Sequence, residues 1–128
     1  MSMGISVKIA ESQPVAAWGD DSHRRLPLDL NHLYNQTLGD RSLQREVLKM
    51  FLDKSGELVA RVRDAAGVEE RREAAHALVG SARGIGAFSV AYIASEIELA
   101  RGPVVGRLKA LEAAMDAARY FIVDFLAE

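Results

Sequence analysis

The chain has 128 residues, a formal net charge of −2, three prolines and no cysteine, and 49% of it is hydrophobic. That length and apolar content suffice for one domain with a single core. The composition excludes disulfides, thiol catalysis and cysteine-ligated metals, and the charge offers no basic excess for nucleic acid.

No apolar run approaches the about 18 residues of a membrane span. The start, "MSMGISVKIAESQP", has no continuous apolar signal core. The expectation is a cytoplasmic protein that engages neither nucleic acid nor membrane. Alanine, leucine, glutamate and arginine dominate, which favours helix over sheet.

Residues 1–27 hold Pro14, Gly19, Pro27 and the polar run "GDDSHRR". They read as a flexible N-terminal arm, with Val15, Ala16 and Trp18 as candidates to dock on the domain. Residues 28–128 read as one helical unit. Asp29 is a good cap for a first short helix, "LNHLYNQTL", which Gly39 stops. Asp40 then caps a long second helix that Gly67 ends. Its apolar stripe is Leu43, Val47, Met50, Phe51, Leu58 and Val62.

The third predicted helix runs from Val68 or Glu69 to Ile85, with Gly86 just beyond its end. The fourth is "SVAYIASEIELAR", with Val90, Ile93, Ala94 and Ile97 inward. Gly102 and Pro103 close it and open a fifth helix. In that last helix Val104, Leu108, Leu111, Met115, Ala118, Ile122 and Phe125 step by 4, 3, 4, 3, 4 and 3, the repeat of a bundle seam. Met50, Met115 and the phenylalanines read as core filling. Short turns make neighbouring helices antiparallel. The predicted fold is all-α: an antiparallel four-helix bundle with a short additional N-terminal helix. A closed bundle needs no second chain, so a monomer is expected.

The third helix carries "EAAHALVGSARGIGA", Glu73 to Ala87. At about 100° per residue, Ala74, Ala75, Leu78, Ala82 and Ile85 fall within roughly 100° of arc, the core side. His76 lies roughly 145° from the centre of that arc and points outward. Gly80 stands one turn above it. Arg72, Glu73 and Arg83 share the outer face, and Val79 sits at its border with the core. Mid-helix glycine costs about 1 kcal/mol against alanine. Spacing alone leaves two readings of Gly80. It is a tolerated glycine beside an ordinary surface histidine, or it is bare backbone that lets another molecule reach the ring.

"AHALVGSARGIGA" followed by "AYIASEIE" resembles the signature of histidine-containing phosphotransfer (HPt) domains, at His76, Leu78, Gly80, Ser81, Gly86 and Ala87. "LDLNHLYNQTLGDRSLQREVLKMF" is similar to the first two helices of bacterial members, and the resemblance covers roughly residues 28–126. It implies a carrier of phosphohistidine rather than a stand-alone catalyst. His76 would accept the phosphoryl group from the receiver domain of a response regulator or hybrid histidine kinase. The carrier needs no cofactor of its own, and Mg²⁺ is expected on the receiver. The chemistry suits an imidazole, because such side chains ordinarily titrate at about 6.5 and keep a nucleophilic nitrogen near neutrality.

Glu98 occupies a place where members of that family commonly carry a polar residue near the histidine. It would accept the Nδ1 proton and leave Nε2 to react, or it is a solvated residue paired with Arg101. The family usually has lysine where this chain has Val79, and valine offers phosphate neither charge nor hydrogen bond. Arg83 or Arg72 would substitute, since arginine suits phosphate. Alternatively both are ordinary surface charge, with Arg72 paired to Glu69 or Glu73. Val79 would also add an apolar spot for docking. Arg72, Glu73, Val79, Gly80 and Arg83 are therefore the expected partner-binding residues. The competing function is a degenerate module that binds a receiver or kinase without carrying phosphate.

The remaining histidines carry less. His32 reads as a core-edge or surface residue, and His23 lies in the polar run of the arm. No HxxxH or Glu-x-x-His constellation recurs across helices, so no metal site is expected. There is no phosphate-cradling GxxxxGK[ST] loop, hence no kinase or nucleotide site, and no Ser/His/Asp motif supports a hydrolase.

Overall fold

A computed structural model describes residues 26–128, and the expectations for Val15, Ala16, Trp18 and His23 lie outside that range. The described residues form five helices and no strand: α1 (Leu30–Thr37), α2 (Arg41–Asp64), α3 (Val68–Ile85), α4 (Phe88–Leu99) and α5 (Val105–Leu126). Helix α3 packs against both α2 and α4. Helix α5 packs against α4 and returns to α2, while α1 bridges α2 and α3.

Both expected aspartate caps are present. The Asp29 carboxylate accepts from the His32 backbone N–H at 3.0 Å, and Asp40 accepts from Leu43 at 3.0 Å. Each satisfies a donor that the first helical turn leaves without a partner. Helix α1 stops one residue before the predicted end. Leu38 already turns left-handed at φ 54°, and Gly39 follows at φ 76°. A side chain on Gly39 would also meet the Tyr34 ring at 2.9 Å. Beneath this turn the buried Gln44 amide donates to the Thr37 hydroxyl at 3.1 Å, tying α2 to α1.

The seam of α2 differs from the predicted stripe. Its buried residues include Gln44, Leu48, Phe51, Ser55, Leu58 and Val62, a regular step of 4, 3, 4, 3 and 4. Met50, expected in the core, is 62% exposed, and Leu43 is also exposed. Phe51, Leu58 and Val62 of the predicted stripe are in the seam, but the polar residues Gln44 and Ser55 hold seam positions that hydropathy does not mark. Helix α2 ends at Asp64, before Gly67, which is instead the extended N-cap of α3. There Glu70 accepts from the Ala66 backbone N–H at 3.2 Å, and Glu69 and Glu70 lie in the first turn, where the helix dipole favours negative charge.

Gly86 ends α3 as expected, at φ 90°. The Asp29 backbone N–H donates to its carbonyl at 2.9 Å, and a side chain there would sit 2.8 Å from the Asp29 oxygen. Glycine is therefore required at this position twice over: by the backbone angle and by the approach of α1. Helix α5 begins at Val105 rather than Pro103, because its first helical bond runs from the Leu108 N–H to the Val104 carbonyl. Its expected seam holds: Leu111, Met115, Ala118 and Ile122 are buried, with Val104, Leu108 and Phe125 packed at the margin. Arg45 donates to the Leu126 carbonyl at 2.9 Å and closes the far end. Of the phenylalanines, Phe51 is buried and Phe121 and Phe125 partly so, whereas Phe88 is exposed.

Candidate functional site

Helices α3 and α4 make the most extensive helix pair among the described residues. Half of the residues they bury are alanines: Ala74, Ala75 and Ala82 on α3, Ala91 and Ala94 on α4. Small side chains let two helix axes approach closely. That closeness brings the short Glu98 side chain of α4 across to α3. Its Oε2 lies 2.7 Å from His76 Nδ1.

The His76 side chain is 75% exposed, and Glu98 is 28% exposed. A carboxylate can only accept, so Nδ1 is the donor in this pair. Nε2 makes no hydrogen bond with a described residue. The ring is thus held at one nitrogen and presented to solvent at the other. The alternative partner for Glu98, Arg101, is not engaged; no ion pair joins them.

One turn on, Gly80 is exposed, and a side chain there would meet nothing within 4 Å. Sequence reasoning missed that Gly84 is the same. Its signal was the repeat of glycine at the next turn. Backbone without side chains therefore extends for two turns beyond the histidine.

The charged residues of this face divide. Arg83 and Glu73 are exposed and Arg72 is half-buried. Neither arginine forms an ion pair with a described residue, so the pairing of Arg72 with Glu69 or Glu73 is not made. Val79 is a correction. It is 7% exposed and belongs to the core cluster, so it is no docking spot beside the ring. Its position on the wheel was a border one, and packing of the neighbouring helix turned that border inward.

Between α2 and α3 runs an open apolar groove of about 360 Å³, lined by Val47, Met50, Phe51, Lys54, Ser81 and Ile85. His32 sits away from the His76–Glu98 pair, half-buried, its ring edge-on to Phe88 at 5.0 Å. Among the described residues no three His, Asp or Glu side chains gather as a metal-holding group. No described helix is long and apolar enough to cross a membrane.

His76 is thus held at one ring nitrogen and open at the other, beside bare helix backbone. The family model of the Hpt domain matches residues 46–121. The chain belongs to the Hpt domain family. It matches no curated protein and no solved structure.

Proposed function

We propose that this protein is a phosphocarrier of a two-component phosphorelay, with His76 as the phosphoacceptor. The observation that carries the reading is the His76–Glu98 contact on an otherwise open ring. Helices α2 to α5 are read as an antiparallel four-helix bundle that displays the site on its outer surface. The partner is a receiver domain of a response regulator or hybrid histidine kinase, and its acidic residues carry the Mg²⁺. The carrier itself works as a monomer in the cytoplasm and needs no cofactor.

In the transfer, His76 Nε2 attacks the phosphorus of an aspartyl phosphate. The N–P bond forms as the P–O bond to the aspartate breaks, and the aspartate leaves as a carboxylate. Positive charge develops on the imidazole during attack. The Glu98 carboxylate, already on Nδ1–H, stabilises that charge without having to move. Onward transfer is the same step reversed on another receiver. Gly80 leaves room for the in-line approach on which such transfer depends. Arg83, exposed and without an ion-pair partner among the described residues, is the cation for the phosphoryl oxygens, and Arg72 and Glu73 flank the docking surface.

A second reading stands on one observation. With Val79 buried, the position where the family usually carries lysine supplies no charge. A degenerate module would bind receivers and carry nothing. Incubation with a phosphorylated receiver separates the two. The carrier gains acid-labile phosphate, loses it entirely in His76→Gln, and gains it more slowly in Arg83→Ala. Binding without any labelling of the wild-type protein establishes the degenerate module instead.

A further inference from the structure

Glu98 lies near the end of a short helix, and something must hold that end in place. Helix α4 carries no basic residue in its last turn. Its last residue, Leu99, is exposed, as are Arg101, Gly102 and Pro103 past it, so the segment has little packing of its own. The missing cation comes from α3. Arg71 Nη2 donates to the Ala100 carbonyl at 3.2 Å, across 29 positions of sequence. Its Nε is buried without a partner among the described residues, so the guanidinium is held there at some cost in desolvation.

A guanidinium on the last carbonyls of a helix satisfies an orphan acceptor and complements the dipole. Here it does so from the neighbouring helix. Arg71 to Ala100 and His76 to Glu98 are therefore two cross-links between the same pair of helices. The first fixes how far the end of α4 lies from the start of α3. The second spans the gap between the same two helices with one glutamate side chain, so whether it reaches Nδ1 depends on that spacing.

We infer that Arg71 is a positioning residue for the reactive histidine: by pinning the end of α4 it keeps Glu98 on Nδ1 and so holds the ring in its Nδ1–H tautomer. Which imidazole nitrogen carries the proton is set by the hydrogen bond the other makes. The inference deepens the phosphocarrier reading and rests on it for its consequence. The tautomer itself is a property of the protein without phosphate.

The test is ¹⁵N NMR of the His76 ring in the unphosphorylated full-length protein. Arg71→Ala is compared with Arg71→Lys, which keeps a donor and a charge. Arg45→Ala is the control, since Arg45 closes the end of α5 through the Leu126 carbonyl and lies on other helices. Arg71→Ala is expected to shift the ring from Nδ1–H towards a mixture of tautomers, with Arg71→Lys restoring it in part. Arg45→Ala leaves it unchanged. Phosphate transfer falls on the order of 3- to 10-fold in Arg71→Ala, as expected for one lost hydrogen bond. An unchanged tautomer in Arg71→Ala overturns the inference, and so does an equal shift in Arg45→Ala. If Arg71→Ala does not fold, Arg71→Met, which keeps the apolar stem and removes the donor, takes its place, and an unchanged tautomer in that variant overturns the inference. A shifted tautomer in a protein that never accepts phosphate leaves Arg71 as the positioning residue and removes the carrier function.

Discussion

His76 Nδ1 and Glu98 Oε2 meet at 2.7 Å although 22 positions separate them in the chain. The contact joins the middle of α3 to the last turn of α4. It decides which ring nitrogen faces out, and it places a negative charge behind the ring. On the phosphocarrier reading proposed above, both effects would serve a nucleophile that becomes positively charged as it reacts.

Glu98→Gln keeps the shape of the side chain and removes its charge. Phosphate transfer to His76 is expected to slow on the order of 10-fold, the scale of one charge-assisted hydrogen bond weakened. Stability should change little, because an exposed pair contributes only about 0–1 kcal/mol. Rapid-quench transfer kinetics and a thermal melt check the two halves. A slowed rate accompanied by a large fall in melting temperature would assign Glu98 to the fold instead.

Gly80→Gln places a long side chain in the open space above the ring. Helix propensity improves by roughly 0.5–1 kcal/mol, so urea stability should hold or rise. Transfer should nevertheless slow, and Gly84→Gln, a turn further from His76, should slow it less. Equal rates in all three proteins would show that the bare backbone does not serve approach.

Val79→Lys would restore the residue type usual in the family. If missing charge were limiting, that change would speed transfer. At 7% exposure the position cannot take an ammonium without burying it or displacing the packing around it. The expected result is a loss of about 1–3 kcal/mol in urea unfolding and no gain in transfer rate. A stable, faster variant would mean that the lysine escapes along the helix surface to the phosphate.

What could be read from the sequence follows from where single residues carry the information. Asp29, Asp40 and Gly86 act locally, through caps and a left-handed angle, and each does what its residue type implied. The α5 seam was legible because all its members are apolar. The α2 seam was not, because Gln44 and Ser55 occupy it, and their partners, the Thr37 hydroxyl and the Leu52 carbonyl, are invisible to hydropathy. His76 could be placed outward from spacing alone. Val79, roughly 60° from it on the wheel, could not, since a border residue is assigned by the helix packed against it. The contact with Glu98 needed the family resemblance to be named in advance. Arg71 had no signal at all, because its partner is a backbone carbonyl that has no letter in the sequence.

The bond from Asp29 to Gly86 bears on how small a working piece of this protein can be. The shared family stretch starts at Glu46 and stops at Phe121. Leu28, Leu33 and Ile122, all sealed from water, lie outside it, as do the Thr37–Gln44 pair and the donor for the Gly86 carbonyl. A fragment excised at those limits would lose one wall of its interior and the latch beneath the α3–α4 corner. The histidine would survive in such a fragment, but on a helix whose far end had come loose.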